Sequence, residues 1–427
     1  MAQGRRSRVL VAAATALLTS LVILLVLNLS LGNKQVDAPF AHLYPVDDAQ
    51  FPRSLGASLG RALVAGNSVQ ELVNGDEVFP AMLEAIRAAE RSITLETYIY
   101  WTGSIGREFS DALADRAREG IKVHVMLDWI GGQLDDSLLE RMEAAGVEIR
   151  RYNAPTWYNL HRLNHRTHRK LLVVDGKVGF TGGVGIADVW RGDAQDAAHW
   201  RDTHFVASGP VVRQLQAAFI DNWLQSTGSV LHGPDYFPEL HPRGTATAHV
   251  FTSAPGGGSE SMQLMYLLSI TAAARSIDLA AAYFVPDDVA VAAIVAALER
   301  GVRVRIIMPG PHMDLPLVRR ASRAGWGELL RAGAEIHEYQ PTMFHCKLLV
   351  VDGLWTSVGS TNFDNRSLAI NDEANLNVYD ASFAARQVAV FEKDLKRSRR
   401  VTLDEWQRRP IADRFLDKLA SALSSQL

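Results

Sequence analysis

The sequence predicts an α/β protein made of two tandem copies of one unit, preceded by a single apolar helix. Three observations carry this reading: an uncharged run near the amino end, four pairs of matching words in the same order along the chain, and an alternation of helix-like and strand-like stretches. The 427 residues are 48% hydrophobic and 21% charged, which supports a large core and is neither a fibrous nor a disordered composition. A formal net charge of -3 gives no overall pull toward nucleic acid. The single cysteine, Cys346, excludes an intramolecular disulfide and a multi-cysteine metal site.

The first element is the run from Val9 to Leu31, preceded by Arg5, Arg6 and Arg8. Those 23 residues would rise roughly 34 Å as a helix, enough for a hydrocarbon layer of about 30 Å. A cleaved signal has an apolar stretch on the order of half that length, so residues 1–40 read as a retained single-pass anchor. Three arginines before the run, against Lys34 after it, put the amino end in the cytoplasm and the body on the far side.

The body repeats itself. Ala85 to Trp101 matches Ser269 to Val285, and the word starting at Arg118 matches that starting at Glu299. Ala145 onward matches Ala332 onward, and HRKLLVVDGKVGFTGG from His168 matches HCKLLVVDGLWTSVGS from His345. The offsets are 184, 181, 187 and 177 residues. Helical stretches such as Phe79 to Arg91 and Ser104 to Glu119 alternate with β-rich runs such as Ile93 to Tyr100 and Lys122 to Leu127, which predicts α-β-α units around a mostly parallel sheet. The lobes are expected at 41–235 and 245–400, dividing near Gly228 to Thr247, with a tail at 401–427. A pseudo-twofold bilobal body follows.

The last pair of words carries chemistry. A Val-rich run, Asp-Gly, then a second β-like run is a hairpin signal, with Asp175-Gly176 and Asp352-Gly353 at the turns. A two-residue turn pairs Val174 with Lys177, His168 with Gly183, and His345 with Ser360. His168 and Lys170 stand two apart on one face, as do His345 and Lys347. Each lobe would present an imidazole, as nucleophile or proton donor, beside an ammonium that neutralises an anionic oxygen. Gly182-Gly183 and Gly359-Ser360 would bring backbone N–H groups to the same anion. Phosphate is the expected guest, with two imidazoles and two ammonium groups around one phosphorus. Asp175 and Asp352 fall about 20 Å away along the strand and read as structural turn residues.

H-x-K-x4-D occurring twice, each time followed by a pair of small residues, resembles the phospholipase D superfamily. WRDTHF (Trp200 to Phe205), GSTNFDNRS (Gly359 to Ser367), NDE (Asn371 to Glu373) and KRSRR are similar to bacterial cardiolipin synthases, with the likeness running from about Val64 to Arg409. The resemblance implies two tandem phospholipase D-like lobes. It also implies phosphatidyl transfer through a covalent phosphohistidine, from two phosphatidylglycerol molecules to cardiolipin plus glycerol. It makes His168 the nucleophile and His345 the acid and base, Lys170, Lys347 and Asn362 phosphate-binding residues, and Asp202 and Glu373 the acids that orient the histidines. One imidazole neutral and one protonated at the working pH are required, with their pKa values pushed apart. Gly185 stands where Asn362 stands in the other copy. Phospholipid and membrane are the implied partners, not nucleic acid, at a bacterial inner membrane, with the body outside the cytoplasm. No cofactor or metal is implied. The competing reading is hydrolysis on the same scaffold, with phospholipid as the substrate before nucleic acid.

Cys346 alternates with His345 and Lys347 and reads as a buried residue facing away. His165 has no counterpart in the second lobe, and His199 and His204 read as packing residues. Glu96, replaced by Ala280 in the other copy, is a candidate buried charge. Pro155 to Leu163 and Pro341 to Phe344 form either lobe packing or an apolar rim for acyl chains. In the tail, Lys393, Lys396, Arg397, Arg399 and Arg400 are followed by Ile411, Phe415, Leu416, Leu419 and Leu423 on one helical face. Either this helix packs its apolar face on the body, or the tail meets anionic headgroups.

Overall fold

The computed structural model describes residues 2–29, 38, 40–155, 165–254 and 261–422. Helix α1 (Ala2–Leu29) takes in the apolar run from Val9 to Leu29, and Leu10, Leu17, Leu18, Leu21 and Ile23 are exposed on it. Among the described residues no helix is long and apolar enough to cross a membrane. The described side chains of α1 extend from Leu10 to Val26, about 25 Å of helix.

After α2 (Gln50–Ser58), the first lobe runs β1 (Val64–Val73), α3 (Asn74–Arg87), β2 (Ser92–Thr97), β3 (Tyr100–Trp101), α4 (Ser104–Arg118), β4 (Lys122–Asp128), β5 (Gly132–Gln133), α5 (Asp136–Ala144) and β6 (Glu148–Tyr152). The hairpin β7 (Lys170–Val174) and β8 (Val178–Gly182) follows, then β9 (Thr203–Ser208) and α6 (Val212–Thr227). The second lobe repeats the order: β10 (Ala246–Ser253), α7 (Met262–Thr271), β11 (Ser276–Ala281), β12 (Phe284–Val285), α8 (Asp288–Glu299), β13 (Arg303–Pro309), α9 (Pro316–Ala332) and β14 (Glu335–Tyr339). Its hairpin is β15 (Lys347–Val351) and β16 (Trp355–Gly359). The chain ends with β17 (Phe363–Asp364), α10 (Asn365–Ala369), β18 (Glu373–Tyr379), α11 (Ala381–Lys396), β19 (Ser398–Val401), α12 (Leu403–Gln407) and α13 (Ile411–Ser421).

The two lobes share one 15-stranded sheet, in the order β19-β14-β13-β11-β15-β16-β18-β10-β1-β9-β8-β7-β2-β4-β6. The seam is the antiparallel pair β1 and β10, and the strand order reads outward from it alike on both sides. The expected mostly parallel sheet is corrected. Strands joined through a helix (β2, β4, β6 and β11, β13, β14) pair in parallel. The hairpins pair antiparallel, because a short turn permits only that direction, and the strands beside them, β9 and β18, pair antiparallel as well. Period-four apolar residues such as Ile105, Phe109 and Leu113 in α4 bury a helical face.

Two boundaries also differ from expectation. Val46, Phe51, Leu55 and Leu59 belong to the core of the second lobe, not the first. Phe51 meets Trp355 edge-on at 5.2 Å, and the Tyr379 hydroxyl donates to Val46 O. The tail is part of the second lobe as well, since α13 lies on α9. It docks through polar contacts: the buried Asp417 carboxylate receives Arg409 at 2.6 Å and Arg323 at 3.1 Å. Ile411, Phe415 and Leu419 are left 82%, 68% and 60% exposed. The apolar face therefore points away from the body.

Candidate active site

Each hairpin turn is built as Asp-Gly demands. Asp175 and Gly176 have φ of 54° and 63°, and Lys177 N–H donates to Val174 O. Lys177 is one residue more than a two-residue turn needs, so Val174 faces Val178 and Leu171 faces Thr181. Leu354 acts alike, and Val351 faces Trp355. The expected register is therefore off by one, and His168 is not opposite Gly183, nor His345 opposite Ser360. At the far end of β7, the Asp175 carboxylate accepts from the N–H groups of Glu90, Arg91 and Ser92. Asp352 does the same with Ala274, Arg275 and Ser276.

Both histidines lie just before their strands, where the lobes are laced together. His168 N–H donates to Asp372 O and Asp372 N–H to Arg166 O, while His345 N–H donates to Arg201 O and Arg201 N–H to Met343 O. This lacing sets the acids that follow Asp372 and Arg201 in the chain against the opposite histidine. Glu373, from the second lobe, lies 2.9 and 3.0 Å from His168 Nδ1. Asp202, from the first, lies 2.7 Å from His345 Nδ1. With Nδ1 committed to a carboxylate, Nε2 is the nitrogen left for chemistry.

The small-residue pairs have a different task from the one expected. Gly183 N–H donates to Thr203 O and Ser360 N–H to Ala374 O, so neither is available to an anion. A Cβ on Gly183 would come within 2.2 Å of Asp202 Oδ1, and the Ser360 hydroxyl donates to Glu373. These positions seat the acids. Gly182 and Gly359 close the adjoining strands β8 and β16. Trp190, which sequence reasoning missed, donates from Nε1 to Asp202 Oδ2 at 3.0 Å and meets the His345 ring at 5.4 Å. A Cβ at Gly185 would approach the Trp190 ring at 3.1 Å, which accounts for glycine where the other lobe has Asn362.

One cavity of about 460 Å³ is lined by His168, Lys170, His345 and Asn362 together, with Tyr98, Trp200 and Tyr283 among its walls. Lys170 Nζ donates to His168 O at 2.9 Å, and Lys347 Nζ to His345 O at 2.6 Å. Asn362 is 3% exposed, and its side-chain oxygen has no hydrogen-bond partner within the protein. Burial, together with Lys170 and against the pull of Glu373, lowers the His168 imidazole to about 4. Burial and Lys347, opposed by Asp202, lower His345 to about 3. Both imidazoles are thus neutral near pH 7, rather than pushed to opposite sides of it. Burial, then Lys347, lowers Lys170 to about 7, and Lys347 is lowered chiefly by burial. Burial raises the Glu373 and Asp202 carboxyls, but the histidine facing each, with the nearby lysines, outweighs it and holds both below the usual range. Four groups able to carry positive charge thus compete around a space that an anion would relieve.

The remaining sequence candidates fall outside the cavity. Cys346 turns into the core, 3.7 Å from the Thr203 hydroxyl. His199 pairs with Asp196, and His165 O accepts from Asn153. His204, on β9, is buried with neither ring nitrogen partnered. Glu96 is fully buried beneath the site, accepting from Thr167 and from Asn222 at 2.7 Å. Burial raises its carboxyl. Of the proposed apolar rim, residues 156–164 lie outside the described residues, whereas Met343 and Phe344 are buried.

Fold and site define a two-lobed protein with a single composite histidine–lysine centre. The family described as "Cardiolipin synthase, PLD-like domain" matches residues 82–220 and 266–395, one segment in each lobe. A "Cardiolipin synthase" of Geobacillus kaustophilus is 35% identical over 360 residues, 83% of this chain and 72% of that protein. "Cardiolipin synthase A" of Pseudomonas fluorescens is 34% identical over 350 residues, 81% of this chain and 72% of its own. The chain belongs to the cardiolipin synthase family of phospholipase D-like proteins. Its fold is also that of the phosphatidylserine synthase of Haemophilus influenzae, with TM-score 0.69 and 13% identity over 88% of this chain and 99% of the other.

Proposed function

We propose that this chain is a membrane-anchored phosphatidyltransferase that converts two phosphatidylglycerol molecules to cardiolipin and glycerol through a phosphohistidine. The observation that carries the reading is the exchange of acids: each imidazole is held by the other lobe's carboxylate, and both line one cavity with Lys170 and Asn362. His168 Nε2 attacks phosphorus and the bond to the glycerol oxygen breaks. That oxygen takes a proton from His345, whose imidazole gains it as the phosphodiester anion enters. The hydroxyl of a second phosphatidylglycerol then attacks, giving its proton back to His345 and returning the P–N electron pair to His168. Lys170, Lys347 and Asn362 balance the phosphoryl oxygens.

The apolar run of α1 would hold the body at the bilayer, with the catalytic lobes outside the cytoplasm. The exposed face of α13, with Ile411, Phe415 and Leu419, would rest at the lipid interface. Incubating the protein with radiolabelled phosphatidylglycerol and separating the lipids tests the reading. Labelled cardiolipin and released glycerol support it; phosphatidic acid alone would make the protein a hydrolase.

A further inference from the structure

The cavity is not symmetric. Beside His168 it is lined by two arginines, Arg166 from the first lobe and Arg366 from α10 of the second, both half-buried. At the repeat-related positions stand Met343, two residues before His345, and Val189. Beyond the lysine beside each histidine, the duplication therefore supplies these guanidinium groups in one copy only. Arg166 is tied to the reacting histidine through Tyr98, and Arg366 lines the same cavity. Arg166 Nη1 donates to the Tyr98 hydroxyl at 3.3 Å, its guanidinium carbon lies 5.9 Å from that ring's centre, and the ring meets His168 at 5.2 Å. Burial lowers the Arg366 guanidinium to about 10, and Arg166 adds to the shift. Two like charges lining one cavity, one of them a tyrosine ring from the reaction centre, form a place for a second anion. The carboxyls that also line the cavity, Asp364 and Asp314, are both raised by burial, Asp364 to about 6.

We propose that Arg166 and Arg366 bind the phosphodiester of the acceptor lipid. This rests on the transferase reading and deepens it. In the product one three-carbon glycerol bridges two phosphorus atoms, so the acceptor's phosphate must lie within a few bonds of the reacting one. An acceptor whose own phosphate sits on the arginines therefore brings its terminal hydroxyl to the phosphohistidine. That oxygen bonds to phosphorus, the P–N bond breaks, its electron pair returns to His168 and the hydroxyl proton passes to His345. Water and neutral alcohols lack the second anion and gain nothing from the pair. The arginines thus favour transfer over hydrolysis and select an anionic acceptor.

The test uses the full-length protein in phosphatidylglycerol vesicles, with glycerol 3-phosphate, uncharged glycerol or inorganic phosphate added in separate arms. The readouts are the ratio of cardiolipin to phosphatidic acid and the acceptor preference. The wild type should prefer glycerol 3-phosphate to glycerol by on the order of tenfold, a difference that charge-assisted pairing supplies. Inorganic phosphate should inhibit transfer more than hydrolysis. Arg166→Gln and Arg366→Gln should each erode the preference and shift product toward phosphatidic acid, the double variant should abolish the preference, and Arg166→Lys should keep part of it. An unchanged product ratio and preference in both single variants would overturn the assignment. A wild type that makes no cardiolipin would instead remove the transferase reading beneath it.

Discussion

The carboxylate on each Nδ1 fixes both the tilt and the tautomer of its imidazole, so the acids matter as much as the rings they hold. Glu373→Gln and Asp202→Asn should each lower kcat on the order of 10²-fold or more, the scale of positioned acid–base catalysis. Ser360→Ala, which removes one donor to Glu373, should cost less. The pH profile follows from the direction of the shifts. Because His168 and His345 are lowered to about 4 and about 3, the neutral nucleophile survives acidification that would protonate an ordinary histidine. A kcat/KM profile, which reports the free protein, should rise as the pH falls from 7, because His345 must take up a proton to act as acid, and turn down only below about pH 4, where His168 is protonated. A break near 6.5 would mean that the imidazole is solvated. The His-x-Lys spacing made these four side chains legible in sequence. Trp190 was not, because its bond to Asp202 depends on room beside its ring that Gly185 leaves.

At the scale of the hairpin, the aspartate and the small-residue pair should separate stability from activity. Asp175→Asn puts an amide against three backbone N–H groups and should cost about 1–3 kcal/mol. Denaturant unfolding would register that loss, while turnover at saturating substrate stays near that of the wild type. Gly183→Ala should do the reverse, because its methyl group would displace Asp202 and so release His345. Loss of activity at unchanged stability in Asp175→Asn would contradict the structural role. The Asp-Gly turns were readable from local chemistry, but the register was not. Lys177 and Leu354 are inserted residues whose place is set by pairing across β7 and β8, or β15 and β16. The same distinction explains the sheet: alternating periodicity marks strands, yet it does not say which neighbour a strand takes.

Across the whole molecule, the duplicated lobes form one site rather than two, because the β1–β10 seam brings each acid to the opposite histidine. Sequence comparison reveals the duplication but not this exchange, which depends on how the lobes meet. His168→Ala and His345→Ala should each be inactive, and mixing the two should restore nothing, since every chain needs both of its own histidines. Removing residues after Arg409 takes away the exposed face of α13 and should weaken binding to phosphatidylglycerol vesicles at low salt; unchanged binding would argue against a lipid-facing role. The most direct test of the composite centre is to quench the protein during turnover of acyl-labelled phosphatidylglycerol and map the covalent adduct. The account predicts a phosphatidyl group on His168, absent from His168→Ala and formed only in traces in Glu373→Gln. No adduct, or one that persists in His168→Ala, would contradict it.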